Sequence, residues 1–249
     1  MLVDTHCHIF KEYYDDIDEV VMRARNAGIR MIIVNGIDRK SNEEVLNLVS
    51  RYDIVYGALG IQPEVCESVT DEDFKFIEEH INDDKIVAVG EIGLDYHYDI
   101  NKEKQKEVFK RQLEMAKKYN KPVIVHSREC IWETYNILKM SNVVGIMHCY
   151  SGSLEMARLF CKIGFYLGIG GVVTFKNATK LVEVIKDIPL EYIVLETDSP
   201  YLSPEPYRGK RNEPINVGVI LQKICDIKGL DYNQASDVTT KNVLRLFDK

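Results

Sequence analysis

The sequence has no CxxC pair, no long apolar run and no surplus of basic charge. Its six cysteines, Cys7, Cys66, Cys130, Cys149, Cys161 and Cys225, are scattered. That excludes a disulfide framework and leaves free thiols as the reading. No stretch approaches the roughly 18 apolar residues of a membrane-spanning helix. Met1-Leu2-Val3 leads straight into polar and histidine residues, with no basic segment followed by an apolar one. A reducing, cytoplasmic setting without membrane association is therefore expected. Lys plus Arg total 32 against 39 Asp plus Glu, a net charge of −7. This argues against coating duplex DNA by bulk electrostatics, although a local grip on phosphate stays open. Linker-like stretches, low-complexity tracts and repeats of fixed period are also missing, so residues 1–249 are read as one domain. No feature calls for an obligate protein partner.

What is present is an alternation of short apolar blocks with longer helical patterns. The blocks fall at 2–3, 31–34, 54–59, 86–89, 122–125, 143–147, 165–169 and 192–195. Most are continuous runs, which suits parallel strands buried on both faces. Helices are expected at 15–27, ended by Gly28, and at 103–119, where Phe109, Leu113 and Ala116 recur at helical spacing. Ser41-Asn42-Glu43-Glu44 reads as a capping box opening another helix. Further helices are expected near 70–81, 129–140, 154–162, 178–186, 215–227 and 231–247. Eight strands alternating with about eight helices predict an α/β fold, a TIM-type (β/α)8 barrel. A doubly wound open sheet is the alternative, weakened by the lack of GxGxxG after an early strand. Gly168-Ile169-Gly170-Gly171 marks a close backbone approach at a strand end.

The metal-capable residues follow the same punctuation. His6 and His8 flank Cys7 after the first block, and Glu91, His126, His148 and Asp198 follow later blocks. All are placed at or just past the C-terminal ends of expected strands, the rim that carries active sites in (β/α)8 barrels. His6 and His8, two apart on a strand, share a face that Cys7 does not. Imidazole mixed with carboxylate suits Zn²⁺, Mn²⁺, Co²⁺ or Mg²⁺. His80, inside a helix, is read as structural. Four of six histidines and two carboxylates on one rim make an accidental grouping a poor explanation. Asp198 is the candidate general base, because it keeps a second oxygen to take a proton. Glu91 is mainly a ligand.

These residues sit in blocks that resemble the signatures of the TatD family of metal-dependent hydrolases, within the amidohydrolase superfamily. The blocks are Val3-Asp4-Thr5-His6-Cys7-His8, Gly90-Glu91-Ile92-Gly93-Leu94-Asp95-Tyr96, His126-Ser127-Arg128, His148-Cys149-Tyr150-Ser151-Gly152 and Glu196-Thr197-Asp198-Ser199-Pro200-Tyr201-Leu202. Arg208-Gly209-Lys210-Arg211-Asn212-Glu213-Pro214 and Thr240-Lys241-Asn242 continue the match. The resemblance implies a two-metal centre. His6, His8 and Asp198 would hold one ion, His126 and His148 the other, and Glu91 would bridge them. It also implies a deoxyribonuclease that hydrolyses phosphodiester bonds, often from the 3′ end of single strands. One departure stands out: Gln62 lies in a block where many members carry histidine, and its amide cannot shuttle a proton near neutral pH.

Arg208, Lys210 and Arg211 form a compact basic cluster expected to contact phosphates, with Arg128 and Gln62 as further candidates. Tyr96, His97 and Tyr98 could stack on a base. The rival readings are another ester or amide hydrolase on the same centre, such as a D-aminoacyl-tRNA deacylase, and a non-catalytic metal-binding protein. The complete ligand set speaks against the second.

Overall fold

The computed structural model describes residues 1–248. Lys249, the last residue of the expected 1–249 domain, lies outside the described residues. Eight strands form one sheet in sequential order: β1 Leu2–Cys7, β2 Ile29–Asn35, β3 Val55–Leu59, β4 Ile86–Asp95, β5 Val123–Arg128, β6 Gly145–Met147, β7 Phe165–Ile169 and β8 Ile193–Leu195. Every neighbouring pair is parallel. The barrel closes where a parallel bridge joins Cys7 to Ser199 and the amide of Asp198 donates to His6 O at 2.9 Å. An open doubly wound sheet, which would leave two unpaired edges, is not what forms.

The helices are α1 Ile17–Asn26, α2 Arg39–Arg51, α3 Asp71–His80, α4 Lys102–Lys118, α5 Ile131–Ser141, α6 Leu154–Lys162, α7 Thr179–Asp187, α8 Val217–Lys228 and α9 Tyr232–Phe247. The apolar side of the strands that faces them makes one core, with Ile32, Val55, Phe109, Phe160 and Leu221 fully buried. A second, smaller core fills the barrel: Val3, Ile33, Ala88, Ile124, Ile146 and Val194, with Val243 and Phe247 of α9 packed into it. Among the described residues no helix is long and apolar enough to cross a membrane. All six cysteines are free.

One local expectation is corrected. Ser41 does not open α2; Asp38 caps it, and Ser41 is the third helical residue. Asp38 accepts from the Ser41 amide at 2.8 Å while Ser41 Oγ accepts from the Asp38 amide at 2.9 Å. The box is real but begins three residues earlier, since aspartate caps a helix as well as serine does.

The extensions of β1 and β4 beyond their apolar blocks aim the site. On β1, Leu2 faces the helices and Val3 the barrel interior. Strict alternation would then turn Cys7 inward and His6 outward. Instead the register against β2 shifts: Asp4 pairs with Ile32 and Cys7 with Val34, three steps against two. The extra residue reverses the parity, so Cys7 joins the outer core with its thiol donating to Ile33 O. β4 repeats the device. Val89 faces the helices, the register shifts again before Ile92, and Ile92 and Leu94 face outward. Glu91 and Asp95 are thereby turned inward. Gly93 is required beside them, because its φ is +147° and a Cβ there would lie 2.0 Å from His126 O.

Candidate metal centre

Six side chains of the expected set converge at the C-terminal mouth of the barrel. His126 and His148 reach it by ordinary alternation, one step past the outward Val125 and Met147. Asp198 stands three residues past β8, and its backbone is tied to β1 through His6 O. Asp4 reinforces that tie by accepting from Thr197 N at 2.9 Å and Thr197 Oγ1 at 2.6 Å.

The ligand-type atoms of His6, His8 and Asp198 all lie within 4.8 Å of one another, as do those of His6, Glu91 and His148. Glu91 Oε2 is 3.4 Å from His6 Nε2 and 3.5 Å from His8 Nε2, while its Oε1 is 3.0 Å from His126 Nδ1. Glu91 thus lies between the β1 histidines and His126. Asp198 Oδ1 is 3.6 Å from His148 Nε2 and 3.8 Å from both His6 and His8. His6 and His8 point Nε2 at each other across 3.1 Å. Two imidazole nitrogens facing one another beside two carboxylates suit a divalent cation.

The titratable groups of the site shift one another's charge. Burial and the neighbouring His148 hold His6 well below its ordinary value, so it is neutral. Burial pushes Glu91 up, but hydrogen bonds from His126 and His6 outweigh it and keep the carboxylate ionised. Burial opposes charge on His126, yet Asp95 and Glu91 raise it to about 10. Burial likewise opposes charge on His148, and Glu196 and Asp198 raise it to about 9. Asp198 is pushed up to about 6 by burial, less the pull of His148 and His8.

Three residues outside the expected set belong to this centre. Asp95 Oδ2 lies 2.9 Å from His126 Nε2. Glu196 Oε1 lies 3.0 Å from His148 Nδ1 and accepts from the Cys149 amide at 2.7 Å. Cys149 brings its sulfur within 4.8 Å of the nearest ligand atoms of His148 and Asp198. A carboxylate four residues from a candidate ligand shares its face of the strand, which was the available signal for Asp95; Glu196, like Asp198, lies past β8. Gln105 of α4 fixes Asp95 by a pair of 2.8 Å bonds to its backbone amide and carbonyl. Gln112 braces Ile61, beside Gln62, in the same way at 2.8 and 2.9 Å.

The expected substrate contacts are more dispersed. Arg208 packs 3.8 Å over the Phe175 ring. Arg211 donates to Tyr13 O at 2.5 Å and lies over Tyr14. Lys210 is exposed on the same loop. Arg128 ends β5 and stacks 5.5 Å from the Tyr98 ring centre. Gln62 precedes a short 3₁₀ turn, its amide bonded to Ile37 O. Tyr96 is engaged with Glu133 and His97 with Glu129, which leaves Tyr98, 44% exposed, as the open ring of that loop. The glycine cluster behaves as expected: a Cβ on Gly168 would lie 2.2 Å from Glu196 Oε2.

Comparison with known proteins agrees with this picture. Residues 3–248 match the family model described as TatD related DNase. The uncharacterized metal-dependent hydrolase YabD of Bacillus subtilis (strain 168) is 44% identical over 252 residues, covering 99% of both chains. YcfH of Escherichia coli (strain K12), also named an uncharacterized metal-dependent hydrolase, is 33% identical over 99% of this chain and 95% of its own. The crystal structure of YjjV, a TatD homologue from E. coli K12, superposes with a TM-score of 0.95 at 32% identity, covering 100% of this chain and 98% of that one.

Proposed function

Since this chain belongs to the family of TatD-related DNases, we propose that it is a metal-dependent hydrolase of phosphodiester bonds in DNA, acting on single strands or strand ends. The observation that carries this reading is the convergence of His6, His8, Glu91, His126, His148 and Asp198 at the mouth of the barrel. In this reading His6, His8 and Asp198 would hold one divalent ion and His126 and His148 a second, with Glu91 available to both groups. Bound divalent ions supply Lewis acidity, easing the deprotonation of water and offsetting charge on phosphate oxygens.

The protein's own groups have separable roles. Asp198 approaches His6, His8 and His148 through Oδ1, so Oδ2 is left to take a proton from the attacking water. Its carboxyl is 14% exposed, open enough for water to reach it. Glu91 is locked between His126 and His6 and is the weaker base, because every contact it makes favours its ionised form. Asp95 orients His126 by holding the ring nitrogen that faces away from Glu91, and Glu196 Oε1 places its charge 3.0 Å from the His148 nitrogen that faces away from Asp198. Arg208, Lys210, Arg211 and Arg128 supply positive charge for flanking phosphates. Gln62 can donate a hydrogen bond to a phosphate or sugar oxygen.

The test is hydrolysis of end-labelled single-stranded DNA with Mn²⁺, with and without chelator. Cleavage that the chelator removes, and that Asp198→Ala loses with its fold intact, is the expected result. No metal-dependent cleavage of any strand overturns the nuclease reading. Near-normal cleavage by Asp198→Ala overturns the base assignment. Mapping products on 3′- and 5′-labelled strands fixes polarity.

A further inference from the structure

Tyr201 stands three residues beyond Asp198, and its amide donates to Asp198 O at 2.8 Å. That turn carries its ring to the edge of the metal centre, 6.5 Å from the His8 ring centre to centre. Half of Tyr201 is exposed. Its hydroxyl donates to Tyr13 Oη at 3.0 Å, and the two rings meet edge-on at 5.8 Å and 68°. Tyr13 is fixed in turn: its amide donates to Phe10 O at 2.9 Å, and its carbonyl accepts from Arg211 at 2.5 Å. Tyr13 also packs against the core and Phe10, so it serves as the fixed support that holds the half-exposed Tyr201 ring in place. A tyrosine that is oriented but uncovered loses little conformational freedom when something stacks on it.

We propose that the Tyr201–Tyr13 pair is a stacking platform for the nucleobase next to the scissile phosphate. This rests on the nuclease reading of the same site. The geometry favours a base over a purely ionic ligand. The residues packed about His8 on this side, Phe10 and Tyr201, are aromatic, and Arg211 is tied to the Tyr13 carbonyl behind them. On the opposite flank Tyr96 and His97 are engaged by carboxylates, and the open ring there, Tyr98, lies against Arg128 and not against a second aromatic hydroxyl. Base–aromatic stacking is tolerant of base identity, so the platform would select for the presence of a base and not for its sequence.

The test uses the Mn²⁺-loaded full-length protein and dinucleotides with a single phosphodiester, intact or with one base replaced by hydrogen. The readout is the ratio of kcat/KM for the intact and the abasic substrates. Wild type is expected to favour the intact substrate about tenfold when the base on one particular side is present. Tyr201→Ala should bring that ratio near one, while Tyr201→Phe, which keeps the ring, should preserve it. As a second measurement, 2-aminopurine on that side should be quenched on binding to the Asp198→Asn protein, and the quenching should disappear when Tyr201→Ala is added. Cleavage of all substrates by wild type without discrimination overturns the platform and leaves the nuclease reading standing. So does an equal loss on intact and abasic substrates in Tyr201→Ala. Failure of wild type to cleave any of them overturns the nuclease reading, and the platform with it.

Discussion

Asp95 holds His126 from behind: its Oδ2 lies 2.9 Å from Nε2, on the side of the ring opposite Glu91. The imidazole is pinned between two carboxylates, one offered to the centre and one supporting it. Such a partner fixes the tautomer and the ring plane of a metal-binding histidine. Asp95→Ala should therefore weaken divalent-metal affinity by about 10–100-fold, with Asp95→Asn losing less. Titration of the chelator-stripped protein with Zn²⁺ or Mn²⁺ in a calorimeter measures it. Equal affinity in wild type and variant would mean that Asp95 does not position the histidine.

The opposite wall gives a test that touches no ligand. A methyl group on Gly168 would lie 2.2 Å from Glu196 Oε2 and 3.2 Å from Met147 O. Glu196 has to move, and with it the group facing His148. Gly168→Ala should lower stability by about 1–3 kcal/mol and reduce metal affinity as well. Thermal melts with and without chelator separate the effects: the metal-dependent rise in melting temperature should shrink. An undiminished rise would show that Glu196 is free to shift without disturbing His148.

The metal-free site should respond to pH in a defined direction. His126 is raised to about 10 and His148 to about 9, so both carry protons at neutral pH. A divalent ion must displace them, so apparent affinity should rise with pH by about tenfold per unit for each proton released. Stability of the metal-free protein runs the other way. A histidine raised on folding contributes fully below its unfolded value of about 6.5, and that contribution fades as pH climbs through 9 and 10. Melting temperature in chelator should accordingly fall between pH 6 and pH 9. Affinity that is flat over pH 6–8 would contradict the charge state derived for the two rings.

The basic loop makes a salt-dependent prediction. Replacing Arg208 and Arg211 together by alanine should raise KM on a single-stranded oligonucleotide. The slope of log KM against log salt should flatten by about 0.7 for each phosphate that the variant no longer neutralises. Because Arg211 also anchors Tyr13, Arg211→Ala alone should have the larger effect of the two. An unchanged KM and an unchanged slope would make the loop's charges a solvated surface.

The order of the elements, and most of the residues at the mouth, could be read from the chain. Continuous apolar blocks such as those leading to His126 and His148 mark strands buried on both faces, and the histidine after each block lands at the rim by period-two alternation alone. Asp198 follows from the same logic. The sequence also contained Asp95, on the same face of β4 as Glu91, and Glu196, two residues before Asp198 in the segment past β8. It offered nothing to show that they sit behind histidines contributed by other strands, because those pairings join residues 31 and 48 positions apart.

The sequence by itself determined the alternation of buried strands and amphipathic helices, and the identity of the groups that can bind cations. These are local properties, set by hydrophobic spacing and side-chain chemistry. Only the tertiary structure decided which way His6 and Glu91 point. Alternation counted from Val3 or from Val89 turns each of them toward the helices. The extra residue that β1 and β4 each carry against a neighbouring strand reverses that. Register is a relationship between two strands, fixed by packing of the whole barrel, and no single stretch of sequence contains it.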